Sequence, residues 1–432
     1  MMTISWIALA LTLTALPQTP SRAAAPTDLE TRISGVEQEM LTWRRHLHQH
    51  PELSNREVET AKFIAERLRS FGLEPRTGVA QNGVVAVLTG AQSGPVVALR
   101  ADMDGLPVTE ETSLPFASRA KGEYEGRPVG VMHACGHDTH MAMLLATAKV
   151  LTGIKDRLRG SVVFIFQPAE EGVPPAERPA GAELMVKEGV LKEPSANAIF
   201  GLHVYANMPS GHVAWRSGAF MAAADSFEII VRGRQTHGAT PWAGVDPIVL
   251  ASQIVTALQT IVSRQVDITA QPAIVTVGQF EAGVRTNIIP DSARLVGTIR
   301  TFDPEMRKDI HARVERMAGS IAESGGATAE VRIHSGYPVT INDPTLADRM
   351  RPTLRRILAD RVFEGPKITG AEDFSYYQQQ VPGMFLLLGI TPAADVGKAP
   401  QNHSPRFMVD ESALLTGVRT LVHLTLDYGQ QQ

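Results

Sequence analysis

The stretch "VMHACGHDTHMA", residues 131–142, sets His133, Cys135, His137, Asp138 and His140 close together, and Cys135 is the only cysteine of the chain. A lone cysteine cannot close an intramolecular disulfide, so its thiol is an inert buried group, a nucleophile or a metal ligand. Histidines two residues to either side favour the last. Further ligand-type side chains follow apolar runs: "ALRADMDGLP" leads into Asp102 and Asp104, "FIFQPAEEG" into Glu170 and Glu171, and "FGLHVY" into His203. Carboxylate, imidazole and thiolate together suit a borderline divalent ion such as zinc, manganese, cobalt or nickel better than calcium or magnesium. Successive side chains diverge along an extended segment, so Glu170 and Glu171 are expected to divide the work, one as ligand and the other as base. An ion that polarises a carbonyl and acidifies water, beside a free carboxylate that takes the proton, is the equipment of metal-assisted hydrolysis.

Two other readings use the same residues. A thiol hydrolase built on Cys135 and a histidine partner leaves Glu170, Glu171, His203 and His403 without a role. A non-catalytic metal- or amino-acid-binding protein keeps the ligands but has no need of a free carboxylate. His46, His48 and His50 look like a metal triplet, yet they fall on an N-terminal helix.

The elements that must position these groups are legible from periodicity. "GVVAVLTG" (83–90), "GPVVALRADM" (94–103), "SVVFIFQ" (161–167) and "NAIFGLHV" (197–204) read as strands. Helices are expected over 57–71, 139–153 and 181–190. Strands alternating with helices predict an α/β fold, a mostly parallel sheet with helices on both faces. In such a sheet the functional crevice lies outside the carboxyl ends of the strands, where Asp102, Asp104, Glu170, Glu171 and His203 would converge. After Gly218 the order becomes strand, helix, strand, strand, helix, strand, a ferredoxin-like α+β unit. The expected organisation is a catalytic domain of residues 26–217 and 336–432, interrupted by an inserted domain of residues 218–335.

Composition narrows the partners. With 432 residues, 44% hydrophobic and 20% charged, and a net charge of -4, the chain offers no cationic surface for nucleic acid. Residues 1–25 carry an apolar run from Ile4 to Leu16 and small residues at Ala23 to Ala25, which predicts a signal peptide and an exported, periplasmic or secreted protein. That run is short for a membrane span, and no stable membrane anchor is expected.

The motifs "HQHPELSNRE", "LRADMDGLPV", "MHACGHDTHMA", "FQPAEEG", "GLHV", "THGATPWAGVDPI", "TNIIP", "GAEDFSYY" and "NHSPRF" occur in order from about Ile33 to the C-terminus. In these the chain resembles the dinuclear-metal amidohydrolases that include hippurate hydrolase, indole-acetyl-amino-acid hydrolases and N-acyl-amino-acid deacylases, relatives of aminoacylase and the zinc carboxypeptidases. The resemblance implies two divalent ions per chain, zinc or manganese, with cobalt or nickel as further options. It implies metal ligands at Cys135, His137, Glu171, His203 and His403, Glu170 as general base and Asp104 as the carboxylate that orients a ligand. His133, Asp138 and His140 are then supporting or helix-capping groups. Where the zinc carboxypeptidases have a metal-binding histidine, this chain has Asp102, a feature of the cysteine-containing subgroup. By the same resemblance His237 stabilises the oxyanion, in its own or a neighbouring subunit's site, and Asn287 and Arg300 hold the substrate's carboxylate. The implied substrate is a small N-acyl-amino acid or dipeptide, and the implied assembly is a homo-oligomer joined through the inserted lid domain.

Overall fold

The computed structural model describes residues 27–430, so the expected signal peptide lies outside the described residues. The Val-, Ile- and Phe-rich runs form an eight-stranded sheet. Its spatial order is Arg76–Val79, Gly83–Thr89, Arg159–Gln167, Gln92–Asp102, Ala198–Pro209, Gly383–Thr391, Val213–Trp215 and Val362–Glu364. The middle of the sheet, from Arg159–Gln167 to Gly383–Thr391, is parallel throughout. The first two strands and the Val213–Trp215 junction add antiparallel pairs at the flanks.

Alternate residues of a strand face opposite sides, so a sheet covered on both faces needs continuous apolar runs. In Gln92–Asp102, Val97, Leu99 and Ala101 enter one core while Ala98 enters the other. In Arg159–Gln167, Val162, Phe164 and Phe166 alternate with Val163 and Ile165 in the same way. The larger core is closed by helices Glu37–Gln49, Val58–Ser70, His137–Thr152, Pro344–Leu358 and Leu414–Gln430, the smaller by Gly181–Lys187 and Ser375–Gln378. Among the described residues no helix is long and apolar enough to cross a membrane.

A second sheet is antiparallel, in the order Ala273–Ala282, Ser292–Thr301, Ala223–Arg232, Thr328–Ser335. Helices Pro247–Thr260 and Pro304–Ser324 pack on it over a separate core that includes Phe227, Ile254, Leu295 and Val314. Both helices start the same way. Asp246 and Asp303 accept backbone N–H groups as N-caps, and a proline with preset φ opens the helix.

The chain enters and leaves this unit side by side, and Asp225 ties the two crossings. Its carboxylate accepts from Arg307 Nε at 2.8 Å and from Gly336 N at 3.0 Å, and lies 2.7 Å from His311 Nε2. Burial alone would raise the Asp225 carboxyl, but His311 and Arg307 bring it down to about 2. A depressed carboxyl contributes stability above its ordinary value of 3.8 and loses it as pH falls through about 2. Asp225→Asn is therefore expected to cost roughly 2 kcal/mol at pH 7. Thermal melts at a series of pH values should show the gap to wild type narrowing as pH falls below 4.

Candidate metal centre

Cys135 and His137 reach the sheet edge because the loop before helix His137–Thr152 turns sharply at Gly136. Its φ is +93°, and an added Cβ would lie 2.4 Å from Val204 Cγ2, so only glycine fits. The helix thus begins at His137, two residues before the expected start. His203 is not at a strand end, contrary to the sequence reading, since its strand continues to Pro209. It is still at the edge of the crevice, because pairing with Gln92–Asp102 stops at Gly201. His403 comes from a loop, at φ +71°, with its backbone N–H donated to Ala134 O at 2.8 Å. A non-glycine residue in that region is held there by its surroundings.

The donor atoms converge. Cys135 Sγ lies 3.3 Å from His203 Nε2 and 3.2 Å from His403 Nε2. Glu171 Oε1 is 3.4 Å from His403 Nε2 and 3.8 Å from His137 Nε2. Separations of this order belong to donors that share an ion at bonds of about 2.0–2.3 Å. His137 Nε2 and Glu171 Oε1 are buried, and neither has a hydrogen-bond partner among the described residues. Orphaned buried donors aimed at one another cost free energy unless something lies between them.

The electrostatics point the same way. Burial alone would depress His137, but Asp102, Asp104 and Glu171 raise it to about 10. Burial, opposed by the His137 charge and reinforced by Asp104, lifts Glu171 to about 7. The pocket is thus short of positive charge, which a divalent ion supplies. Burial and then His140 push His203 well below the usual imidazole range, keeping the neutral ring a ligand requires. Burial, then Glu171 and Glu170, push the Cys135 thiol well up.

The sequence is matched over residues 98–427 by the model of peptidase family M20/M25/M40. It is 40% identical to thermostable carboxypeptidase 1 of Saccharolobus solfataricus over 92% of this chain and 97% of that one. It is 42% identical to the N-acyl-L-amino acid amidohydrolase of Geobacillus stearothermophilus, over 73% of this chain and 81% of that one. The solved YXEP protein of Bacillus subtilis, described as a dinuclear metal-binding peptidase of the M20 family, superposes with a TM-score of 0.78 at 35% identity, covering 92% of this chain and all of that one. The chain belongs to peptidase family M20/M25/M40. It is a metal-binding hydrolase of amide or peptide bonds.

Around the M20 cluster the structure shows how Asp104, Asp102 and His140 are held, and it adds Ser54, Arg100, Glu372 and Asp373, which local sequence did not disclose. Asp104 accepts from Glu170 N at 3.1 Å, Glu171 N at 3.0 Å and Ser54 Oγ at 2.6 Å, and stands 3.2 Å from His137 Nδ1. One carboxylate thereby fixes both the glutamate turn and the histidine ring. Asp102 is fully engaged, with His140 Nδ1 at 2.5 Å and Arg100 Nη1 at 2.7 Å. His140 Nε2 accepts in turn from Val204 N at 2.8 Å, beside His203. Asp102 and His140 therefore brace the ligands, with no nitrogen of His140 left over. Arg100 also reaches Glu372 at 2.9 Å and Asp373 at 2.8 Å beneath Glu170.

Asp138 does not cap its helix. It binds Arg44 Nε at 2.8 Å and His48 Nδ1 at 3.0 Å, which gives one member of the N-terminal histidine triplet a structural task. Both nitrogens of buried His133 lack partners among the described residues.

Glu170 and Glu171 sit in a turn after Ala169, whose φ is +54°, and not in the extended segment the sequence suggested. Both carboxylates consequently face His137 Nε2, Glu170 Oε2 at 3.9 Å and Glu171 Oε1 at 3.8 Å. They differ on their other sides, Glu171 toward Cys135 and His403 and Glu170 toward Glu372 and Asp373. Burial first, then Glu372 and Glu171, hold Glu170 well above the ordinary carboxylate range.

The inserted unit's candidates stand apart from the cluster within this single chain. His237 is exposed, and Gly238 N donates to Asn287 O at 2.9 Å, which makes the two loops neighbours. Arg300 lies on strand Ser292–Thr301, its guanidinium turned to Thr298 Oγ1 and to Ile299 O. Among the described residues none of the three makes a hydrogen bond or ion pair to the ligand cluster.

Proposed function

We propose that the protein hydrolyses the amide between an acyl or aminoacyl group and an amino acid with a free carboxylate, with Glu170 as general base. The observation that carries this is the convergence of Cys135, His137, Glu171, His203 and His403 donors beside a second, non-equivalent glutamate. The amidohydrolase and carboxypeptidase relatives support the substrate class. Those five residues would hold two divalent ions, zinc or manganese, whose Lewis acidity polarises the scissile carbonyl and acidifies water. Glu170 takes a proton from the attacking water as its oxygen adds to the carbonyl. It then delivers that proton to the amide nitrogen as the C–N bond breaks. Asp104 keeps His137 and the glutamate turn in register throughout.

In this reading the inserted unit is a lid that meets the site on closure or from a partner subunit in a homo-oligomer. His237 donates to the developing oxyanion, and Asn287 and Arg300 receive the carboxylate. Arg300→Ala should lower kcat/KM for an N-acyl-amino acid by roughly 2 to 4 kcal/mol, while scarcely affecting the matching C-terminal amide. Steady-state assays on hippurate, N-acetyl-amino acids, indole-acetyl conjugates, dipeptides and their amides test it. Equal rates on acid and amide in the wild type would make the protein a general amidase. The proposal includes export, so N-terminal sequencing from the native host should begin near Ala25 or Pro26; an intact Met1 would refute that part.

A further inference from the structure

A single peptide unit separates Glu170 from Glu171, and it is gripped at both ends. Its N–H, on Glu171, donates to Asp104 Oδ2 at 3.0 Å, and its carbonyl, on Glu170, accepts from the Tyr337 hydroxyl at 2.6 Å. The other amides of the turn are held from within the catalytic unit, Ala169 N by Glu57 Oε1 at 2.8 Å and Glu170 N by Asp104 Oδ1 at 3.1 Å. Tyr337 comes from elsewhere. It lies just past the inserted unit's last strand, Thr328–Ser335, on the crossing that Asp225 ties. That crossing is closely packed: Ala224 N donates to Tyr337 O at 3.0 Å, and a Cβ on Gly336 would lie 2.2 Å from Ala224 O. The Tyr337 ring stands edge-on to Tyr376, with centroids 6.3 Å apart, a contact that holds the ring where its hydroxyl meets the turn.

A planar peptide turns only through ψ of the residue before it and φ of the residue after it, and here those two torsions also set how the two glutamate side chains diverge. We propose that Tyr337 is a positioning residue for the hydrolysis: its hydroxyl fixes this peptide plane and so aims the Glu170 carboxylate, while Asp104 is sufficient to keep Glu171 among the metal donors. This rests on the general-base reading of Glu170. Without the hydroxyl the carbonyl end of the unit is released while its N–H end stays held, so the plane tilts on the side of the base. A misplacement of about 1 Å at a reacting group costs on the order of 10²-fold in rate.

The test is Tyr337→Phe in the metal-loaded full chain, a change that keeps the ring against Tyr376 and removes only the hydroxyl. Thermal melting and bound metal should match the wild type, KM for an N-acyl-amino acid should change little, and kcat should fall by roughly 10- to 100-fold. Hydrogen exchange at the backbone amides of the glutamate turn should quicken. In a Glu170→Gln background the same substitution should have no further effect on kcat, because two changes that act through one group do not add. A wild-type kcat in Tyr337→Phe, a loss of metal in proportion to the loss of turnover, unchanged exchange at the turn, or an undiminished further loss in the Glu170→Gln background overturns the positioning role and leaves the general-base reading intact. Turnover near the wild-type level in Glu170→Gln itself overturns that reading, and the role of Tyr337 with it.

Discussion

Glu170→Gln should retain metal and the wild-type fold yet lose turnover by a factor on the order of 10² to 10⁴, the usual contribution of a general base. The expectation comes from its position. Glu170 faces His137 Nε2 at 3.9 Å but turns its other side to Glu372 and Asp373, away from Cys135 and His403. That placement leaves it free to take a proton from water and release it again to an amine. Glu171→Gln should differ in kind, losing metal as well as turnover, because Glu171 Oε1 points at His403 and His137 with no hydrogen-bond partner among the described residues. Elemental analysis beside a hydrolysis assay separates the two variants. The reverse pattern would exchange their roles.

Cys135→Ser and His203→Ala should each lower bound metal below the two ions per chain proposed for the wild type. Sγ of Cys135 is in reach of both His203 and His403, so its loss disturbs two donors at once. Since even the groups behind a ligand are worth about 10- to 100-fold in metal affinity, direct removal of a donor should exceed that. Turnover should fall with occupancy and recover in part when excess ion is added to Cys135→Ser. Full occupancy in either variant would strike that residue from the ligand set.

What could be read from the chain and what could not divides along contact distance. The parallel centre of the sheet was legible because a strand buried on both faces must be apolar throughout, as in "SVVFIFQ". Cys135 and His137 were legible because both lie in one short segment at a helix entry. Arg100 was not, since its partners Glu372 and Asp373 lie some 270 positions away and nothing local announces them. The same holds for the join between Arg44, His48 and Asp138, where an unremarkable helix supports the metal loop. Backbone twists were the other blind spot. The left-handed Ala169 turned an expected extended segment into a turn, and with it brought both glutamates to one side. Sequence pattern assigned periods, but it could not assign the sign of φ at a non-glycine residue.

The most direct test of the account is hydrolysis of an N-acyl-amino acid by protein stripped of metal with a chelator and then titrated with zinc or manganese, with bound ion measured alongside. The account predicts that the stripped protein is inactive, that activity returns in step with occupancy, and that a bulky thiol reagent added after metal loading has no effect. Full turnover by metal-free protein, or its loss to the thiol reagent at full occupancy, would contradict it.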